Sequence, residues 1–490
     1  MNLFDLTITE AHKGLVGKAF SASELLQSSL SRIDAVEPTL HAFLSLHREV
    51  AIQHAKTVDE KIAKGHDIHV LEGIPAAIKD NILIQGTITT AGSTILKDYR
   101  ASYTATVIKK LQSHGAVIVG KTNMDDAAMG SSTESSAYGP THNPWDSSRV
   151  PGGSSGGSTA AIAAGEAIYS LGTDTGGSIR QPAALCGVVG FKPTYGQVSR
   201  YGAIAMASSL DQIGPITHTV EDAAIVYDAI RGADTYDSTT AHASASIEPT
   251  KLSTDLKGIR IGIPKEYFIE GLDSRVEASV RAAAKELESR GATLVEVSLP
   301  HTSYALAVYY IIMPAEVCSN IARLDGIRYG YRDKEANDLL SVYTSSRQKG
   351  LGAEVRRRVM LGNYVLSTVY ADQYYNKAQQ VRSLIRRDFD HAFSQVDCIL
   401  APTSPSPAFR MGEKTSDPLT MYLADIFTVS ANIAGIPAVS LPCGFIEEDG
   451  KQLPVGMQLL GKHFDEQTIL SVGHAYQQIT DWHTRRPDIV

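Results

Sequence analysis

Two stretches of the chain carry the same plan of apolar and polar positions. In "TATVIKKLQSHGAVIVGKT" (104–122), helical spacing runs up to Gly115 and gives way to the apolar run Ala116–Val119. That order reads as an amphipathic helix, a glycine stop and a buried strand. "DSRVEASVRAAAKELESRGATLVEVS" (273–298) repeats it. Val276, Val280, Ala283 and Leu287 make one stripe, and Ser274 and Glu277 have capping-box spacing. Gly291 stops the helix, and Thr293–Val297 reads as a strand. A further strand at Ile259–Ile263 precedes this helix. The β-α-β order predicts right-handed crossovers and a sheet covered by helices.

Elsewhere Ser21 and Glu24 have capping-box spacing and open a helix to about Val36. A second helix covers about His47–Lys64, so residues 1–70 read as mainly helical. The uncharged run Ile426–Ile446, "IFTVSANIAGIPAVSLPCGFI", is interrupted by Asn432, Pro437 and Pro442. It reads as a buried helix end and a buried strand rather than a membrane span. "DSTTAHASASIEPTKLST" (237–254) is polar and reads as a surface connection of low order, because β-α-β signals continue on both sides. No fixed-period repeat is present. One large α/β domain with helical decoration fits this pattern.

Composition changes the picture little. The chain has 490 residues, 43% hydrophobic and 20% charged, with mean hydropathy near zero. Length alone would allow roughly two to four domains. A net charge of −8 argues against a chain that grips nucleic acid by itself. The basic runs Arg356-Arg357-Arg358 and Arg485-Arg486 are short and read mostly as solvated surface. Cys186, Cys318, Cys398 and Cys443 show no CxxC spacing, which points to a reducing compartment without a disulfide frame or zinc knot. "MNLFDLTITEAHKG" lacks an apolar core and is not Arg-rich, so neither a signal nor a transit peptide is expected. The expected location is the cytoplasm.

Three motifs bear on chemistry. "GAVIVGKT" (115–122) matches a phosphate-binding loop, but a helix precedes Gly115 and the middle is strand-like, so the match is accidental. "VPGGSSGGS" (150–158) and "DTGGSIR" (174–180) resemble flexible linker only at first sight. Ser154 stands where a small-residue helix begins. Ser178 stands just past a short strand at about Ile168–Leu171, and a short helix and buried strand follow it. Open α/β sheets place their chemistry at such strand ends. Glycines beside a serine let backbone N–H groups converge on one oxygen, as in an oxyanion hole. No histidine lies between His142 and His218. A different base is on offer. Lys79 is the one lysine of the apolar run "LEGIPAAIKDNI" (71–82), where burial would lower its pKa and let a neutral amine accept a proton. Ser-Lys pairs can replace Ser-His-Asp. The bland alternative has Lys79 snorkelling or pairing with Asp80.

At this point "GGSSGGSTAAIAAGEAIYSLGTDTGGSIRQPAALCGVVGFKPTYG", with Lys79 in "GIPAAIKDN", resembles the signature block of the amidase signature family. The resemblance implies a single large domain over 1–490, with a mixed central β-sheet sandwiched between helix layers. Residues 71–231 would form the signature core, and 257–490 the rest of the sheet and the substrate pocket. It implies a Ser–cis-Ser–Lys triad: Ser178 as nucleophile, Ser154 on a cis peptide as proton relay, Lys79 as base. The N–H groups around Thr175, Gly176 and Gly177 would hold the oxyanion. "KTNMDDAAMGSSTESSAYGPTHNPWDSSRVPGGSSGGS", "VSRYGAIAMASSLDQIGPIT" and "DIFTVSANIAGIPAVSLPCGF" look like the glutaminase subunits of tRNA-dependent amidotransferases. Within that group the resemblance implies Arg358 on the glutamine carboxylate, Asp425 on its ammonium and Tyr309 lining the pocket. Taken alone, Arg358 is one surface arginine of three and Asp425 a helix-start residue. The resemblance also implies a B subunit that uses ATP and Mg, a small C subunit completing a heterotrimer, and tRNA contact through the partner. No cofactor, metal or membrane would be needed by this chain. A stand-alone amidase of another small amide is the alternative, and a catalytically dead scaffold a third reading.

Overall fold

The computed structural model describes residues 2–241 and 247–489. Among the described residues, eleven strands build the sheet. They are β1 (Phe43–Leu46), β2 (Pro75–Lys79), β3 (Val117–Thr122), β4 (Tyr169–Asp174), β5 (Val189–Lys192), β6 (Gln212–Thr217), β7 (Arg260–Pro264), β8 (Thr293–Val297), β9 (Cys398–Pro402), β10 (Ala438–Glu448) and β11 (Lys451–Gly461). Their order across the sheet is β1-β3-β2-β4-β6-β5-β10-β11-β9-β7-β8. The sheet is mixed. β3-β2-β4 and β9-β7-β8 are parallel groups, and the strands between them pair antiparallel.

Helices cover both faces. Along β9, Cys398 and Leu400 belong to one core cluster while Ile399 and Ala401 belong to another, as the two-residue period of a strand requires. The first cluster is completed by the N-terminal helices and by helices Val220–Ile230, Ser274–Ser289 and Glu466–Gln477. Helices Ala305–Ile321, Ala353–Leu366, Tyr375–Gln395 and Val429–Ala434 complete the second.

The patterned segments fold as read. Ser21 and Glu24 form a reciprocal capping box at the head of helix Ala22–Leu40. Val276, Val280, Ala283 and Leu287 are all buried on helix Ser274–Ser289. The phosphate-loop match runs from the turn at Gly115 into β3, where Lys121 is buried against Asp80 at 2.9 Å. Three details differ from the sequence reading. The cap of helix Ser274–Ser289 is Asp273, whose side chain accepts from the Arg275 N–H, so the Ser274–Glu277 box is not the device used. The helical N-terminal part contributes a strand, β1, at one sheet edge. Of the polar connection at 237–254, residues 242–246 lie outside the described residues. Its flanks are anchored: Asp237 accepts from Arg200 N–H at 2.8 Å, and Ile247 is buried in the first core cluster.

Candidate active site

β2, β3 and β4 run parallel, so their carboxyl ends share one rim of the sheet. Lys79 is the last residue of β2 and is fully buried. An ammonium there has lost its water, and burial pushes its pKa down to about 7, against the opposing pull of Asp125, Asp174 and Asp211. The amine is hydrogen-bonded to Ser154 Oγ at 2.7 Å, Ser155 Oγ at 2.9 Å and Thr173 Oγ1 at 2.9 Å. A group poised between its two protonation states, in contact with a hydroxyl, can take that hydroxyl's proton and return it. Solvent snorkelling is excluded for Lys79, and Asp80 pairs with Lys121 instead.

The two glycine-serine segments meet beside this amine. The Gly153–Ser154 peptide is cis, and helix Gly156–Ala163 starts directly after Ser155. Ser155 N–H donates to the Ser178 carbonyl at 3.1 Å, which stitches one serine loop to the other. Ser178 keeps some exposure, whereas Gly177 and Ile179 on either side are buried.

A buried ion pair fixes the Ser178 loop. Asp174, at the end of β4, accepts from the amides of Gly177 at 2.9 Å and Ile179 at 3.2 Å. Arg180 holds the same carboxylate through Nε at 3.0 Å and Nη2 at 3.1 Å. Burial alone would raise this carboxyl, but the Arg180 guanidinium beside it brings its pKa down to about 2. Arg180 is itself satisfied by Gln458, Asn432 and the Thr428 carbonyl, so the buried charges are fully paired. Of the three amides expected around an oxyanion, that of Gly177 is the one donating to Asp174. Gly177 has φ +133°, and a Cβ on it would lie 2.2 Å from Thr428 Oγ1, so the loop tolerates no other residue there. Thr175 is steadied by its hydroxyl, which donates to Asp211 at 2.7 Å.

The three residues expected around a substrate border the same region. Tyr309 is buried, with its hydroxyl 2.7 Å from where a Cβ on Gly176 would stand, so it packs on the loop before Ser178. A cavity of about 280 Å³ is lined by Asp125, Ser131, Glu354, Arg358, Met421 and Tyr422, among others. Asp425 reaches this lining through Ser131, whose hydroxyl donates to it at 2.6 Å. Burial pushes the Asp425 carboxyl up to about 7, opposed by Ser131 and Arg358. An arriving ammonium would lower it again. Unlike Arg356 and Arg357, Arg358 is only 4% exposed, so it is not part of a solvated run. The cavity walls do not include Lys79 or Ser178, but Asp125 lines the cavity and its charge acts on Lys79.

Sequence reasoning missed Ser155, Thr173, Asp174, Arg180 and Glu354. For Asp174 and Arg180 a signal existed, because both charges stand amid apolar and glycine residues, where burial demands a partner. Ser155 and Thr173 carry no such mark.

A buried amine against a serine hydroxyl, at the rim of a mixed sheet and beside a glycine-framed second serine, is an arrangement that can support Ser-Lys chemistry. Residues 24–470 match the family described as Amidase, and the chain belongs to that family. It is 55% identical to the A subunit of the glutamyl-tRNA(Gln) amidotransferase of Carboxydothermus hydrogenoformans, covering 100% of both chains. It is equally 55% identical to the protein of that name from Geobacillus thermodenitrificans, over 99% of this chain and 100% of that one. Among solved structures, the corresponding glutamyl-tRNA(Gln) amidotransferase chain of Thermotoga maritima superposes with a TM-score of 0.82 at 41% identity, covering 100% of this chain and 99% of that one. A peptide amidase bound to chymostatin gives a TM-score of 0.81 at 29% identity over 98% of each chain.

Proposed function

We propose that this chain is the glutamine-hydrolysing subunit of a glutamyl-tRNA(Gln) amidotransferase, and that Lys79, Ser154 and Ser178 carry the chemistry. The observation that supports this most is the fully buried Lys79 amine, 2.7 Å from Ser154 Oγ. Neutral Lys79 takes the Ser154 proton as Ser154 takes that of Ser178. Ser178 Oγ then bonds to the side-chain amide carbon of glutamine, and the developing oxyanion lies against the amides of Thr175 and Gly176. The proton on Lys79 returns through Ser154 to the leaving nitrogen. The C–N bond breaks, ammonia departs and a glutamyl ester remains on Ser178. Water, deprotonated by the same relay, cleaves the ester and releases glutamate. Arg358 takes the substrate's α-carboxylate and Asp425 its ammonium, with Tyr309 beside them. A cation and an anion flanking one cavity suit a free amino acid better than an apolar amide.

Ammonia then passes to a B subunit, where ATP and Mg activate the glutamyl-tRNA(Gln), with aspartyl-tRNA(Asn) as the alternative acceptor. A small C subunit completes the heterotrimer, and tRNA is held by the partner. The resemblance of the whole chain to subunits bearing that name supports this reading. The test is Ser178→Ala in the assembled complex. Glutamine-driven amidation should fall by at least about a thousandfold, while amidation fed by ammonium chloride persists. Loss of both would overturn the assignment.

A further inference from the structure

The guanidinium of Arg358 is not free to choose its orientation. Glu354, one turn earlier on helix Ala353–Leu366, accepts from Arg358 Nε at 2.7 Å. The same oxygen accepts from the Tyr422 hydroxyl at 2.7 Å, and the other oxygen pairs with Arg357. Tyr422 stacks on Tyr310 with ring centroids 3.9 Å apart, and the guanidinium carbon lies 5.5 and 5.6 Å from those two ring centres. Surrounding cations and the Tyr422 hydroxyl hold Glu354 below the ordinary carboxylate range despite its partial burial, so it is charged.

These contacts tie together three elements. Tyr310 adjoins Tyr309 on helix Ala305–Ile321, Arg358 stands on helix Ala353–Leu366, and Tyr422 lies three residues before Asp425. We propose that Glu354 is the positioning residue that sets specificity for a free α-amino acid. By engaging the Nε edge of Arg358 it leaves the Nη edge, where Nη1 meets the weakly accepting Met313 thioether at 3.8 Å, for a carboxylate, and through Tyr422 it fixes the spacing between Arg358 and Asp425. Carboxylate and ammonium must then sit on one carbon to satisfy both poles. This inference rests on the reading of Arg358 as the carboxylate anchor.

The experiment measures kcat/KM for glutamine and for γ-aminobutyramide, the analogue without the α-carboxylate, in the assembled complex. Glu354→Gln keeps an acceptor of the same shape but loses the charge. It should raise KM for glutamine and reduce the glutamine-to-analogue preference about tenfold, leaving kcat on the analogue near the wild-type value. Tyr422→Phe should move the preference in the same direction by less, and the double variant should be no worse than Glu354→Gln alone, because both act through one link. Equal losses on both substrates, or additive effects, would overturn the proposal. Arg358→Ala separates the two layers. If it leaves the preference unchanged, the anchor reading fails. If it abolishes the preference while Glu354→Gln does not, only the role of Glu354 fails.

Discussion

At Lys79 the burial that penalises folding is also what makes the side chain useful. An exposed lysine is protonated at neutral pH and offers no lone pair, whereas this one sits near pH 7. Its amine state is set by burial and by the oxygens around it, of which Thr173 Oγ1 is one at 2.9 Å. Oxygen acceptors favour the charged form, so removing one lowers the pKa further. Thr173→Val should therefore move the acid limb of the glutaminase pH profile to lower pH by about one unit. An unmoved limb, or one moved upward, would show that the hydroxyl does not act on the amine. The residues legible in the sequence were those whose setting made them expensive or odd: a lysine in an apolar run, serines framed by glycines. Arg358 misled because two exposed arginines precede it. Glu354, one turn before it, carries no mark in the sequence that sets it apart from a surface glutamate.

At the scale of elements, the helix that follows Ser154 shows how small side chains become an address. Every residue of Gly156–Ala163 is buried. A Cβ on Gly157 would come within 2.5 Å of the carbonyls of Ala42 and Asn123, which are backbone and cannot swing away. Glycine to alanine in a helix normally gains about 0.5–1 kcal/mol. Here the steric clash wins, and Gly157→Ala should lose about 1–3 kcal/mol in urea unfolding. A stabilised variant would contradict the packing. Long periodic segments were readable because their period survives in the fold. β1, "FLSL", is too short to show alternation and owes its strand to its pairing with β3. The β10–β11 hairpin went unread although it carried a plain signal: its two-residue loop is Asp449-Gly450, both at positive φ, the dipeptide that suits a hairpin turn.

Across the whole molecule, the strand order is what makes distant segments answerable to one another. The 438–461 hairpin stands in the middle of the sheet, with strands from residues 43–217 on one side and 260–402 on the other. Loosening either side therefore exposes the hairpin, and a local electrostatic cost should register in the melting of the chain as one unit. Glu166 supplies such a cost. It lies just after helix Gly156–Ala163, fully buried, and faces Glu37 on helix Ala22–Leu40; the two helices share a small cluster of Val36, Leu40, Ala160, Ala161 and Ala164. Burial first, and Glu37 second, raise the Glu166 carboxyl well above the usual range, and burial raises Glu37 as well. A carboxyl raised in the folded state gives stability that is fully present below its unfolded pKa of 4.5 and is lost as pH rises through the folded value. Glu166→Gln keeps the shape, removes one of the two charges and can donate to Glu37. Melting followed by calorimetry should show the variant matching the wild type near pH 4.5 and exceeding it by roughly 1–3 °C at pH 8. A gap that is the same at both pH values would show that the pair does not titrate with folding.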